Sequence, residues 1–360
     1  MNRLVILGNG FDLAHGLPTS YKDFIFHYII SGIKYAHAKR TFENDLISIK
    51  ASRIYGDLKK MVLDKIESLD DLRSAIMNKV MQESFEIDFK GSFLGDIFEE
   101  SSENELWLDI EKLYYKRYKE YFNNNNFQAI LKLNNSFEHV KKALAEYLEN
   151  KVDKPWKLST HPQDLYTSPF LNIMRRGTEG NPNKLPSRLL LCSFNYTTLS
   201  EQYSKQANLT EMKPDFINIH GRLDKQSSYP LIFGYGDESD KIYQDILDQD
   251  DDEFTRHFKH THYHLNDSYP KLRDFFRAGS FEVYLMGHSC GAPDATLLRE
   301  IFEHEFCNQI VLFHHKSRDN YSTINNQVMR KFNDRNLYRE RIVSFNPDNE
   351  CPQFLLKQIE

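Results

Sequence analysis

Arg3-Leu4-Val5-Ile6-Leu7-Gly8-Asn9-Gly10 runs a short apolar stretch straight into a glycine turn. A continuous apolar run of this length suits a strand buried on both faces, as in a parallel sheet. Glycines directly after such a strand let a backbone pass close to phosphate oxygens, with free N–H groups aimed at the anion. The full G-x-G-x-x-G fingerprint is absent, because position 13 is Leu. Downstream, Gly16-Leu17-Pro18-Thr19 reads as a second turn. Ser20 with Asp23 is then a capping-box pair, which opens a helix through Tyr21, Phe24, Ile25, Tyr28 and Ile29.

Strand character returns at Arg188–Phe194, Phe216–Ile219, Leu231–Phe233, Phe281–Met286, Gln309–Phe313 and Arg341–Phe345. Helical patterns lie between several of these runs. Alternating strand and helix around a buried sheet predicts an α/β, Rossmann-like doubly wound fold with a mainly parallel sheet. Between about 35 and 185 glycine is sparse and apolar residues recur at helical spacing. Examples are Leu58, Met61, Val62, Ile66 and Leu69, then Leu106, Ile110, Leu113, Tyr114 and Tyr118, then Val140, Leu144, Tyr147 and Leu148. The expected organisation is a nucleotide-binding core of residues 1–34 and 186–360, with 35–185 a mainly α-helical insertion.

The chain has 360 residues, 40% of them hydrophobic and 13% aromatic, enough for a sizeable core. Its formal charge of −6 and scattered Lys and Arg argue against a nucleic-acid partner. Cys192, Cys290, Cys307 and Cys351 form no C-x-x-C pair and read as reduced thiols of a cytoplasmic protein. The N-terminus enters a strand rather than a signal peptide. No stretch approaches the roughly 18 apolar residues of a membrane span. His257, His260, His262 and His264 are dense, but spacing alone does not make a metal site, and no metal is expected.

Four strand ends carry the candidate chemistry, because ligands in open α/β sheets bind at the carboxyl ends of the strands. The first end holds Gly8, Asn9, Gly10, Phe11 and Asp12. The second holds Asn195, whose amide both donates and accepts, followed by Thr197. The third ends in His220-Gly221, where a histidine can take a proton near neutral pH. The fourth ends in Gly287-His288-Ser289, with Asp294 following. Each has a plain structural alternative: a tight turn, a helix cap, a satisfied histidine or a chain reversal.

Taken in order, these residues resemble the AbiH proteins, the bacteriophage abortive-infection family. The resemblance rests on Ile6–Asp12, Gly16–Tyr21, Trp107–Glu111, Phe194–Thr197, Ile219–Gly221, Phe233-Gly234 and Gly287–Ser289. A more distant similarity is to the sirtuin-like NAD-binding fold, which opens Gly-Ala-Gly-x-Ser and then Gly-Ile-Pro. Gly8, Gly10, Gly16 and Pro18 fall at that spacing, with Asp12 in the serine place. That likeness implies NAD as ligand or substrate. It puts Gly8, Asn9, Gly10, Phe11, Pro18, Thr19, Gly221, Gly287, His288 and Ser289 against the cofactor, and makes Asn195, His220 and Asp12 the catalytic set. Asp normally follows that Asn by two, and here it is Thr197. The paired cysteines of a deacylase zinc module are missing. The implied activity is therefore NAD hydrolysis at the nicotinamide–ribose bond, with a phage-derived trigger and self-association. The competing expectation is a nucleotide-binding sensor without turnover. A nuclease is disfavoured, since neither a paired-carboxylate metal site nor a basic stripe is evident.

Overall fold

The computed structural model describes residues 1–52, 63–101, 109–159, 169–178, 184–207, 213–223 and 230–353, with the side chains of 158 and 159 left aside. Eight strands occur among them: β1 (Asn2–Leu7), β2 (Thr41–Glu43), β3 (Ser48–Ala51), β4 (Phe85–Asp88), β5 (Leu189–Ser193), β6 (Asp215–Asn218), β7 (Phe281–Met286) and β8 (Cys307–Phe313). The chain divides into two compact units. One comprises Met1–Pro18, Leu148–Asp248 and His257–Glu360; the other comprises Thr19–Tyr147 and Gln249–Arg256. The divisions thus fall at residues 18/19, 147/148, 248/249 and 256/257; the sequence reading set its boundaries at 34/35 and 185/186.

The first unit is built on a five-stranded, wholly parallel sheet of order β6-β5-β1-β7-β8. All six residues of β1 and of β7 are buried, as the continuous apolar runs predict for central strands. The winding reverses between β1 and β7, so the carboxyl edge at that junction is the switch point where such sheets open a crevice. Alternation along the strands assigns one face: Leu4, Ile6, Leu190, Cys192, Val283, Leu285, Ile310 and Leu312 share a core with Leu272, Phe275, Phe276, Leu298 and Phe302. These last residues come from helices Ser268–Arg277 and Ala295–Glu303, whose apolar positions recur at helical spacing.

Arg3 is a buried cation within the apolar strand β1. Its Nε donates to Glu282 Oε1 at 2.7 Å, and its Nη groups donate to the carbonyls of Met174, Arg176 and Gly177. Burying a charge is tolerable only with this full set of partners.

Two expected strands are not strands. Leu231–Phe233 lies between Pro230 and Gly234 and is irregular; Ile232 N–H donates to His220 O at 2.9 Å, and Ile232 O accepts from Tyr196 OH at 3.1 Å. Arg341–Phe345 begins as the end of helix Arg335–Arg341 and makes a single bridge, Ile342 to Ile310. Pro347 follows closely and restricts the residue before it.

In the second unit, α2 (Tyr21–Lys39) opens with the expected capping box: Ser20 Oγ accepts from Asp23 N, and Asp23 Oδ2 accepts from Ser20 N, both at 3.1 Å. Helices Ile110–Asn123 and Phe127–Tyr147 flank the asparagine turn, with Asn125 at φ 52°. Tyr114 and Phe137 stack between them at 4.1 Å. The unit also contains the antiparallel sheet β2-β3-β4, which the helical periodicity did not announce. Leu58, Met61, Val62, Leu106, Trp107 and Leu108 lie outside the described residues. Among the described residues no helix is long and apolar enough to cross a membrane.

Candidate functional site

All four strand ends belong to the first unit. The β1 turn and the β7 turn press backbone against backbone. A Cβ on Gly8 would stand 2.5 Å from His288 Cα, and one on Gly287 would strike Phe11 N and Gly10. Gly287 also sits at φ +64°, which favours glycine. The contact is sealed by Gly8 N–H to Met286 O at 3.0 Å and Gly10 N–H to Gly287 O at 2.8 Å; Phe11 N–H turns back to Gly8 O at 2.8 Å. The sequence reading gave these amides to a phosphate. In this conformation the N–H groups of Gly8, Gly10 and Phe11 are donated within the protein. What the glycines provide is close approach of two turns.

That approach sets Asp12, on helix α1 (Asn9–Ala14), beneath the end of β5. Asn195 Nδ2 donates to Asp12 Oδ1 at 2.8 Å and to Gly8 O at 3.0 Å. Thr197 Oγ1 donates to Asp12 Oδ2 at 2.7 Å. Asp12 is 1% exposed. Burial raises its carboxyl to about 7, against the lowering effect of the two hydrogen bonds, and the charge of Asp153 adds to the rise. The group therefore exchanges its proton in the neutral range. Position 197 thus holds a hydroxyl that binds a carboxyl group.

A second cluster lies at the ends of β6 and β7. Asp294 Oδ1 is 3.1 Å from His220 Nε2 and 2.7 Å from Lys259 Nζ, while Oδ2 is 3.4 Å from His288 Nε2. Lys259 is fully buried. Its ammonium and the histidines hold the Asp294 carboxyl well below the ordinary range, despite burial. Burial, then Lys259, lowers His220 to about 4, so its ring is neutral at pH 7. His288 Nδ1 accepts from Cys290 N at 3.0 Å, which leaves the hydrogen of the neutral ring on Nε2, facing Asp294. His220 differs: Nδ1 is 3.1 Å from Phe194 O, and both of its nitrogens face oxygen acceptors. A neutral ring carries one hydrogen for these two oxygens, and Nε2 makes no hydrogen bond in this conformation. The Phe194 ring packs on both histidines of this cluster, 5.1 Å from His220 and 4.5 Å from His288.

The structure thus gathers Asp12 with Asn195, and His220 with His288, at one edge of the sheet. Gly221, next to His220 in the chain, is buried at φ +82° and faces the backbone of Pro230 and Leu231. Asn9 is half-buried, and Pro18 and Ser289 are exposed. Thr19 is buried at the start of the second unit. Sequence reasoning missed Lys259 and Asp153, and named Asp294 only as the residue following the β7 end. His257, His260, His262 and His264 do not converge: His260 Nδ1 meets Tyr243 OH at 2.5 Å and His264 packs on Tyr269. Among the described residues no group of three or more His, Cys, Asp or Glu is placed to hold a metal ion. The four cysteines are free and buried, and burial pushes their thiols up.

The fold and site define an α/β protein with its polar groups gathered at the carboxyl edge of a parallel sheet. The family model described as "Bacteriophage abortive infection AbiH" matches residues 4–315, so the chain belongs to the AbiH family. A search of curated proteins found no match. The family carries an abortive-infection function against bacteriophage.

Proposed function

We propose that this AbiH protein binds NAD or a close relative at the carboxyl edge of its parallel sheet and cleaves the nicotinamide–ribose bond. The observation that carries the reading is the buried Asp12 carboxyl, clamped by Asn195 and Thr197 at a strand end and poised to titrate near 7. The sirtuin-like order of Gly8, Gly10, Pro18, Asn195 and His220 supports the choice of ligand.

Breaking the glycosidic bond sends its electron pair to the pyridinium nitrogen and leaves an oxocarbenium-like ribose. Water then adds at the anomeric carbon and loses one proton. The products are ADP-ribose and nicotinamide. Ionised Asp12 would stabilise the cationic ribose. Asn195 would orient the ribose hydroxyls or the water. Neutral His220, oriented by Asp294, would take the proton, a contribution of roughly 10²–10⁴-fold. For that, water has to displace Phe194 O or Asp294 from the ring. On this reading a phage-derived trigger opens the buried edge to the cytoplasmic NAD pool, and self-association accompanies it.

Asn195→Ala and His220→Ala test the assignment. Each is expected to lose at least about 10²-fold in NAD cleavage with its fold intact; full activity in either removes that residue from the mechanism. A second reading, nucleotide binding without turnover, draws on one observation: His220 is buried, with Nδ1 on Phe194 O and Nε2 turned to Asp294 Oδ1 at 3.1 Å. Calorimetric binding of NAD with no product after triggering would favour it.

A further inference from the structure

Asp153 closes a six-residue π-helical turn, Leu148–Asp153, a geometry that recurs at functional sites. It belongs to the same unit as the site and is 4% exposed. Its Oδ1 accepts from Thr198 N and Thr198 Oγ1, both at 2.8 Å, and from Trp156 Nε1 at 3.2 Å. Its Oδ2 accepts from Lys157 Nζ at 2.7 Å. Adjacent threonines therefore hold two different carboxyl groups: Thr197 grips Asp12 and Thr198 grips Asp153.

We propose that Asp153 is a positioning residue for Asp12, locking the Asn195–Thr198 turn onto that carboxyl and setting its proton affinity by a like charge held nearby. The proposal rests on the reading that Asp12 takes part in the cleavage. Capping the helix Leu199–Ala207 would explain the hydrogen bonds to Thr198 alone, and an asparagine would serve as well. The charge is what distinguishes the two roles. Among the described residues, the side chains that bear on Asp12 besides Asp153 are the neutral donors Asn195 and Thr197; His15, which caps the C-terminus of α1, is held uncharged at neutral pH by burial. Lys157 screens Asp153 from its outer oxygen.

The test titrates the Asp12 carboxyl carbon by NMR in the protein without nucleotide, then follows the pH profile of NAD cleavage. Asp153→Asn keeps an acceptor for Thr198 and removes the charge. It should lower the Asp12 midpoint by about half a pH unit or more, and shift the Asp12 limb of the NAD profile equally. Lys157→Met should raise that midpoint. An unmoved midpoint in either folded variant overturns the proposal, and Lys157→Met decides it if Asp153→Asn does not fold. Should the parent protein cleave no NAD, the cleavage reading fails, while the midpoint still tests the link between Asp153 and Asp12.

Discussion

The Thr197 hydroxyl donates to Asp12 Oδ2 at 2.7 Å, joining two residues 185 positions apart in the chain. Asn195 serves the other oxygen of the same carboxyl. Thr197→Val keeps the volume and removes a donor to a buried oxygen. It should cost about 1–3 kcal/mol in denaturant unfolding, and it should raise the Asp12 midpoint, since the lost hydrogen bond favoured the ionised form. A lowered midpoint would show that the hydroxyl does not serve the carboxylate.

Asp12 makes stability depend on pH in a definite direction. Its folded value of about 7 exceeds the ordinary 3.8, so the folded state holds the proton more tightly. The associated stability is fully present below pH 4 and is lost as pH rises through 7, a change of the order of 4 kcal/mol. His15 and His220, both lowered to about 4, act oppositely, costing stability as pH falls below 6.5. The comparison with Asp12→Asn isolates the first effect. The stability of the parent minus that of the variant should fall between pH 4 and 7; a flat difference would contradict the raised value.

Lys259→Met leaves Asp294 without its ammonium partner. Breaking a buried pair from one side costs about 3–5 kcal/mol. Because Lys259 also lowers His220, the imidazole should titrate higher in the variant. Urea unfolding and imidazole proton NMR read the two effects separately. A His220 midpoint that stays put or falls would refute the coupling.

Gly287→Ala drives a Cβ into Phe11 N and Gly10 at positive φ. Loss of well over 3 kcal/mol, or of soluble protein, is expected, since two backbones would have to separate. Gly91→Ala shares the positive φ but meets nothing within 4 Å, and should cost about 1–2 kcal/mol. Equal costs by thermal unfolding would mean that the close approach of the turns is not what requires glycine.

The sequence made the buried strands and the strand-end residues legible, because a parallel strand covered on both faces leaves an uninterrupted apolar run such as Leu4–Leu7. The capping box of Ser20 and Asp23 was legible for a similar reason: its signal is local. Leu231–Phe233 misled because three apolar residues fit a covered loop as well as a strand. Lys259 and Asp153 left no signature, since a lone charge in a sequence is usually solvated. Each becomes informative only with a partner that the fold supplies: Asp294 for one, Thr198 for the other. The phosphate-cradle reading of Gly8-Asn9-Gly10 could not anticipate Gly287 as the acceptor of the Gly10 amide.

The most direct measurement is nicotinamide release from NAD by the purified protein, alone and after addition of lysate from phage-infected cells, with Asp12→Asn beside it. The account predicts nicotinamide and ADP-ribose in equal amounts from the parent, and at least about a hundredfold less from the variant, which keeps the size and shape of the side chain but cannot ionise. Intact NAD under both conditions, or equal release from the variant, would contradict it.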